Sequence, residues 1–67
     1  MNLPYEMVEE FAQACAEAEI LWRKRRQHAR GEIDMGKVND FEEDYCTDRM
    51  RHYRSLWVTL NEELDSQ

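Results

Sequence analysis

Residues that form tight turns and covalent cross-links are scarce in this 67-residue chain, which contains two glycines, one proline and two cysteines. Two cysteines, Cys15 and Cys46, cannot form the dense disulfide framework that stabilises small secreted domains. No apolar run approaches the roughly 20 residues of a membrane-spanning helix, and the first residues lack the charged and hydrophobic regions of a signal peptide. These absences predict an unprocessed cytoplasmic protein with no membrane association.

Motifs that carry chemistry are also missing from the sequence. It has no nucleophile beside a base, no paired carboxylates in a recognisable motif and no glycine-rich phosphate loop. The soft metal ligands Cys15, His28, Cys46 and His52 do not have the spacing of a zinc site. The sequence therefore predicts no catalytic residue, no cofactor and no metal, and a protein that is not an enzyme.

Acidic residues outnumber basic ones by fifteen to nine, for a formal net charge of -6. Because binding to nucleic-acid phosphates requires clustered, unpaired Lys and Arg, this balance disfavours a nucleic-acid partner. Two local basic segments keep one alternative open, a nucleic-acid-binding module that uses Arg23–Arg30 and Arg49–Arg54.

Two amphipathic segments of similar length predict one domain over residues 1–67, an all-α antiparallel helical hairpin. The first helix is expected at about 4–30, with Pro4 suited to a first helical position. Its end is marked by Gly31, which can take the left-handed conformation that often follows a helix.

The second helix is expected at about 35–64, after a hinge at 31–34. Asp34 is a good N-cap residue, and Ile33 and Val38 have the spacing of a hydrophobic staple.

Folding the chain at this short hinge predicts which residues face each other. Equal rise along two antiparallel helices puts positions level when their numbers add to about 65. The basic run Arg23–Arg26 then faces the acidic residues of Asp40–Asp44. Arg25 and Arg49 interrupt the apolar stripes, and we expect their stems to lie along apolar surface while their guanidinium groups reach carboxylates.

The apolar stripes of both helices are wider than a two-helix hairpin can cover, and they predict association. We expect a homodimer that forms a four-helix bundle. The residues predicted to form this dimer interface, or a partner interface, are Phe11, Leu21, Trp22, Tyr53, Leu56, Trp57 and Leu60.

Acidic residues without neighbouring cations concentrate where the first helix begins and the second ends. This acidic end is predicted to steer a partner with a basic surface, and its members are Glu6, Glu9, Glu10, Glu62 and Glu63. Together these features predict a small regulator, an adaptor or inhibitor that acts by protein–protein interaction. A small stabilising subunit of a larger enzyme is the other alternative.

One segment has a family resemblance. Residues 45–56, with the sequence YCTDRMRHYRSL, resemble the last helix of the theta subunit of bacterial DNA polymerase III, particularly its phage-encoded relative. The resemblance implies a small phage or bacterial accessory protein. The first half of the chain lacks the middle segment of that family, so no binding residue is carried over.

Overall fold

The computed structural model describes residues 4–66 as two antiparallel α-helices joined by a long loop. Helix α1 is Tyr5–Ala29, a 3-10 turn covers Lys37–Asn39, and helix α2 is Glu43–Asp65. The helices pack against each other in a particle of 42 × 17 × 14 Å. Residues 4–66 contain no β-strand, so the predicted all-α helical hairpin is confirmed for the described part of the chain.

Helix α1 has nearly the predicted bounds because its end is encoded locally. Gly31 adopts a φ of +78°, which favours glycine because it has no Cβ. The Gly31 N–H donates to the His28 carbonyl, and the Glu32 N–H donates to the Gln27 carbonyl. These two bonds form a Schellman motif, which satisfies carbonyls that the helix end would otherwise leave unpaired.

The predicted start of the second helix near residue 35 is wrong, because α2 begins at Glu43. Gly36 has a φ of +88°, which is incompatible with an α-helix. The Asp34 carboxylate accepts the Gly36 N–H at 2.9 Å, so it closes a local turn and does not cap a helix. Val38 is 84% exposed, so it forms no staple with Ile33.

The loop between the helices is held in place by side chains at the end of α1. His28 Nδ1 accepts the Met35 N–H at 3.0 Å, and His28 Nε2 lies 2.6 Å from an Asp40 carboxylate oxygen. Asn39 accepts a hydrogen bond from Arg25 Nε at 3.1 Å and donates one to the Met35 carbonyl at 2.7 Å. These bonds replace the helical ones that the predicted structure would have made.

The longer loop changes the register of the hairpin. Ala12 packs in one cluster with Leu60, and Arg30 pairs with Glu43. The numbers of facing residues therefore add to 72 or 73, and the predicted value of about 65 is wrong. As a result the basic run Arg23–Arg26 lies level with residues 46–50 of α2, in which Asp48 is the one acidic residue, and not with Asp40–Asp44.

The buried core is small and divides into two parts. Toward the free ends of the helices, Val8, Ala12 and Leu60 form an apolar cluster against which Cys15 and Leu64 pack. Such a short contact strip buries few large side chains, as expected for a chain of this size.

The second part is an aromatic corner beside the loop, formed by Trp22, Phe41 and Tyr45. The Trp22 ring centroid lies 5.0 Å from that of Phe41 and 5.6 Å from that of Tyr45, both in edge-to-face geometry. The Arg25 guanidinium lies 4.3 Å from the Trp22 centroid, a cation–π contact. The corner therefore joins α1, the loop and α2 around one indole ring.

Replacement of Trp22 should remove most of the stability of the hairpin. Truncation of a buried Trp costs about 3–5 kcal/mol, and a small domain has only about 5 kcal/mol in total. We expect Trp22→Ala to abolish cooperative thermal unfolding followed by circular dichroism. Trp57→Ala is the matched control, because Trp57 is 38% exposed, and it should retain a cooperative transition. Equal destabilisation by the two changes would contradict the aromatic corner.

His28 should make the stability of the fold depend on pH. Its hydrogen bond to the Asp40 carboxylate raises the pKa of His28 above the ordinary 6.5, and burial opposes this rise. On protonation Nδ1 can no longer accept the Met35 N–H and donates instead to the Ile33 carbonyl, which lies 3.2 Å away. A raised pKa adds stability that is complete below about pH 6.5 and is lost as the pH rises through the folded-state pKa.

Asp40→Asn should therefore lower the pKa of His28, measured by NMR titration of its imidazole, and should reduce the loss of stability with rising pH in urea unfolding. An unchanged His28 pKa in this variant would show that the Asp40 bond does not form in solution.

Candidate functional site

An apolar groove of about 630 Å³ runs between the two helices on one side of the hairpin. Both helices contribute to its walls, and none of its eight lining residues carries a charge. The small side chains of Ala14 and Ala18 keep the α1 wall low. The residues that line the apolar groove are Phe11, Ala14, Cys15, Ala18, Tyr53, Leu56, Thr59 and Leu60.

The groove is open because two helices cover only one strip of each other. Phe11 is 46% exposed and Leu56 is 40% exposed, although both belong to the apolar stripes of their helices. Contiguous exposed apolar surface is typical of interaction sites, whereas isolated apolar residues on a surface are ordinary. The groove is therefore the main candidate for a binding surface.

The residues predicted to form the interface do not all belong to this groove. Four of them line it: Phe11, Tyr53, Leu56 and Leu60. Leu21 is exposed and shares a helical face with Ala14 and Ala18, so it extends the same side of the hairpin. Trp22 is buried in the aromatic corner and offers no surface to a partner.

Trp57 does not line the groove, although Tyr53 and Leu60, four residues before it and three after it, do. It follows Met50 by seven residues and Arg54 by three, so the three share a helical face. Met50 and Arg54 line a separate depression that contains none of the groove residues. Trp57 is exposed, and Ile20, three residues before Arg23 of the same depression, is exposed as well.

The acidic end lies at the free ends of the helices. Glu6, Glu9 and Glu10 lie together with Gln13 around one surface hollow on α1, and Glu62 and Glu63 occupy the last turn of α2. Among residues 4–66, none of these five carboxylates forms an ion pair.

Charge is segregated along the hairpin. Residues 23–54 contain all nine Lys and Arg and seven of the fifteen Asp and Glu, a net charge of +2. The remaining residues hold the other eight carboxylates and no Lys or Arg, a net charge of -8. Because the chain turns within residues 23–54, the free ends form an acidic half and the loop end forms a weakly basic half.

Four arginines line a depression of about 180 Å³ that both helices form and that shares no residue with the groove. Glu19 pairs with Arg23 at 2.8 Å and with Arg54 at 3.6 Å. The prediction that Arg23–Arg26 faces the acidic residues of Asp40–Asp44 is wrong, since Asp40 contacts His28 and Glu43 contacts Arg30. The residues that line this arginine depression are Glu19, Arg23, Arg26, Thr47, Met50, Arg51 and Arg54.

Arg25 and Arg49 lie along aromatic surface and do not reach carboxylates as predicted. The Arg49 guanidinium lies 4.9 Å from the Tyr53 ring centroid and donates a hydrogen bond to the Tyr53 hydroxyl at 2.8 Å. Arg25 contacts Trp22 and bonds to the Asn39 amide oxygen. Both arginines therefore support packing next to the aromatic corner.

The cysteines and the other candidate ligands form no reactive centre among residues 4–66. Both thiols are free, and burial raises the pKa of Cys46, which keeps it protonated and weakly nucleophilic. No group of three or more His, Cys, Asp or Glu side chains in these residues is arranged to hold a metal ion.

The short hinge that the sequence predicts would not form the arginine depression. Arg23 and Arg26 meet Thr47 and Met50 only because α2 begins at Glu43. The available signal was Asp34-Met35-Gly36, since Asp followed two residues later by Gly is typical of a turn closed by the carboxylate.

Within residues 4–66, neither helix combines the length and the apolar character needed to cross a membrane. Comparison of the chain with protein-family models, with curated proteins and with solved structures finds no match. The geometry of the groove, the acidic end and the arginine depression is therefore the basis for a functional proposal.

Proposed function

We propose that this protein is a small, non-enzymatic regulator, an adaptor or inhibitor, that acts by protein–protein interaction. The observation that carries the proposal is the uncharged apolar groove, whose exposed Phe11 and Leu56 side chains have no cover within residues 4–66. A chain of this length gains much of its stability by burying such surface against another chain.

The occupant of the groove is a second copy of the chain, and two hairpins form a four-helix bundle. A two-fold axis presents the same patch from both subunits, so Ala14 and Ala18 of one copy leave room for the Phe11 and Leu56 side chains of the other. Alternation of small and large residues across a contact is the pattern that fills a helical core.

Charge complementarity favours an antiparallel arrangement of the two copies. The acidic half of one hairpin, with a net charge of -8, then lies beside the loop half of the other, with a net charge of +2. A parallel arrangement would bring two acidic halves together, and like charges in proximity oppose association.

A further protein binds to the surfaces that the dimer leaves free. Ile20 and Trp57 are exposed and do not line the groove, and an exposed Trp is a common anchor in interfaces. The acidic end attracts a partner with a basic surface and raises its rate of encounter. The dimer is thus a scaffold with two identical partner sites.

A charge placed in the groove should dissociate the dimer. We expect wild-type protein to sediment as a dimer and its melting temperature to rise with concentration, and we expect Leu56→Lys to sediment as a monomer because its ammonium group would be buried without a partner. Val58→Lys is the matched control, since Leu56 and Val58 are each 40% exposed on the same helix but only Leu56 lines the groove.

A wild-type protein that remains monomeric at all concentrations would exclude the second copy as the occupant of the groove. Equal loss of dimer in Leu56→Lys and Val58→Lys would show that the dimer interface does not lie on the groove side of the hairpin.

The rates of association and dissociation of the further protein should depend on different residues of the chain. Glu9→Lys with Glu10→Lys should slow association, because exposed charges mainly change on-rates, whereas Trp57→Ala should speed dissociation. Both rates can be measured by surface plasmon resonance with the protein that the immobilised chain retains from an extract of its source cells. Glu32→Lys, in the loop, is the charge control. Unchanged rates in folded, dimeric variants would locate the partner site elsewhere.

A further inference from the structure

Basic side chains outnumber acidic ones in the lining of the arginine depression. Arg23 and Arg26 come from α1, Arg51 and Arg54 come from α2, and Glu19 is the one carboxylate in the lining. The lining therefore carries a net charge of +3 in a space of about 180 Å³.

The single carboxylate is already engaged. Glu19 contacts both Arg23 and Arg54, and its side chain is only 12% exposed. Within the part of the chain that the structure describes, neither Arg26 nor Arg51 forms an ion pair with any carboxylate. The guanidinium groups of Arg26 and Arg51 therefore repel each other, and only solvent screens this repulsion.

Arg26 is also partly desolvated. Its Nε atom is buried and has no hydrogen-bond partner among the described residues, and the residue as a whole is half-buried. Removing a cation from water without a counter-charge is unfavourable, and a bound anion would reverse that cost. The positions of Arg26 and Arg51 on two packed helices fix the site before a ligand arrives, which reduces the entropy lost on binding.

We propose that the arginine depression is an oxyanion site that binds the phosphate group of a phosphorylated side chain on a partner protein. A phosphomonoester carries nearly two negative charges and three acceptor oxygens at neutral pH, so it can engage several guanidinium groups at once. A carboxylate has one charge and two oxygens and satisfies fewer of them. The choice of a protein as the carrier rests on the proposed function, whereas binding of the phosphate group itself does not.

The surroundings of the depression favour a single phosphate over the backbone of a nucleic acid. Successive backbone phosphates need successive cations, and on the side of the free ends the chain has no Lys or Arg in residues 4–22 or 55–66. On the side of the loop, Arg30 is already paired with Glu43. Ile20 and Trp57 are exposed, and each is three residues from a lining arginine of its own helix, so they provide apolar surface for residues that flank a phosphorylated side chain.

The site can be tested with inorganic phosphate and the full-length chain at neutral pH, with ionic strength kept constant by sodium chloride. We expect NMR shifts that saturate with phosphate and are centred on the Arg26 and Arg51 side chains and on Thr47. Arg26→Gln and Arg51→Gln should each weaken binding about tenfold, the effect of losing one charge-assisted hydrogen bond. Arg30→Gln removes a paired arginine outside the depression and should change affinity less than about twofold.

Glu19→Gln provides a test in the opposite direction. It removes the competing carboxylate and releases Arg23 and Arg54 while keeping the size of the side chain. We expect it to strengthen phosphate binding severalfold. Shifts that do not saturate, shifts that chloride reproduces, or equal losses in Arg26→Gln and Arg30→Gln in folded protein would overturn the oxyanion site.

The carrier can be tested by fluorescence anisotropy with three labelled peptides and an oligonucleotide. A peptide with phosphoserine beside leucine should bind more tightly than the same peptide with serine or glutamate, and Arg26→Gln should abolish the difference. Tighter binding of single-stranded DNA, with affinity that rises with its length, would overturn the choice of a protein carrier. Sedimentation of Leu56→Lys tests the dimer separately, because Leu56 does not line the depression.

Discussion

The hydrogen bonds of His28 to the loop determine which residues of the two helices face each other. With Met35 and Asp40 both bound to this imidazole, the loop extends from Arg30 to Glu42 and α2 begins eight residues later than the sequence predicts. The later start moves every residue of α2 relative to α1. The acidic residues of Asp40–Asp44 stay at the loop end of the hairpin, and Arg23–Arg26 lie level with residues 46–50 of α2, where Asp48 is the one carboxylate.

In the observed register Trp22 is buried against other aromatic rings, but the ion pairs of the predicted register do not form. Exposed ion pairs contribute about 0–1 kcal/mol each, so the predicted pairing of Arg23–Arg26 with the acidic run would have gained little. Burial of Trp22 between Phe41 and Tyr45 removes a large apolar surface from water and adds edge-to-face contacts of about 0.5–1.5 kcal/mol each. A helix through Gly36 would also cost about 1 kcal/mol. The balance favours the longer loop, and unpaired arginines are its consequence.

Features with local signals could be predicted from the sequence, and features that depend on distant contacts could not. The end of α1 follows from Gly31 alone, and the apolar faces follow from helical spacing. The start of α2 depends on a bond between Met35 and a side chain seven residues earlier, which no local pattern reveals. The width of the apolar stripe predicts Trp57 and Leu56 in one interface, whereas only Leu56 lines the apolar groove.

The separation of the two surfaces has a functional consequence. No residue that lines the apolar groove also lines the arginine depression, and the two open on opposite sides of the strip where the helices pack. Energetic effects at sites without shared partners are usually additive, so self-association and anion binding need not compete. An antiparallel dimer would carry one depression on each outer side, and a partner with two phosphorylated segments would gain affinity from simultaneous contact with both.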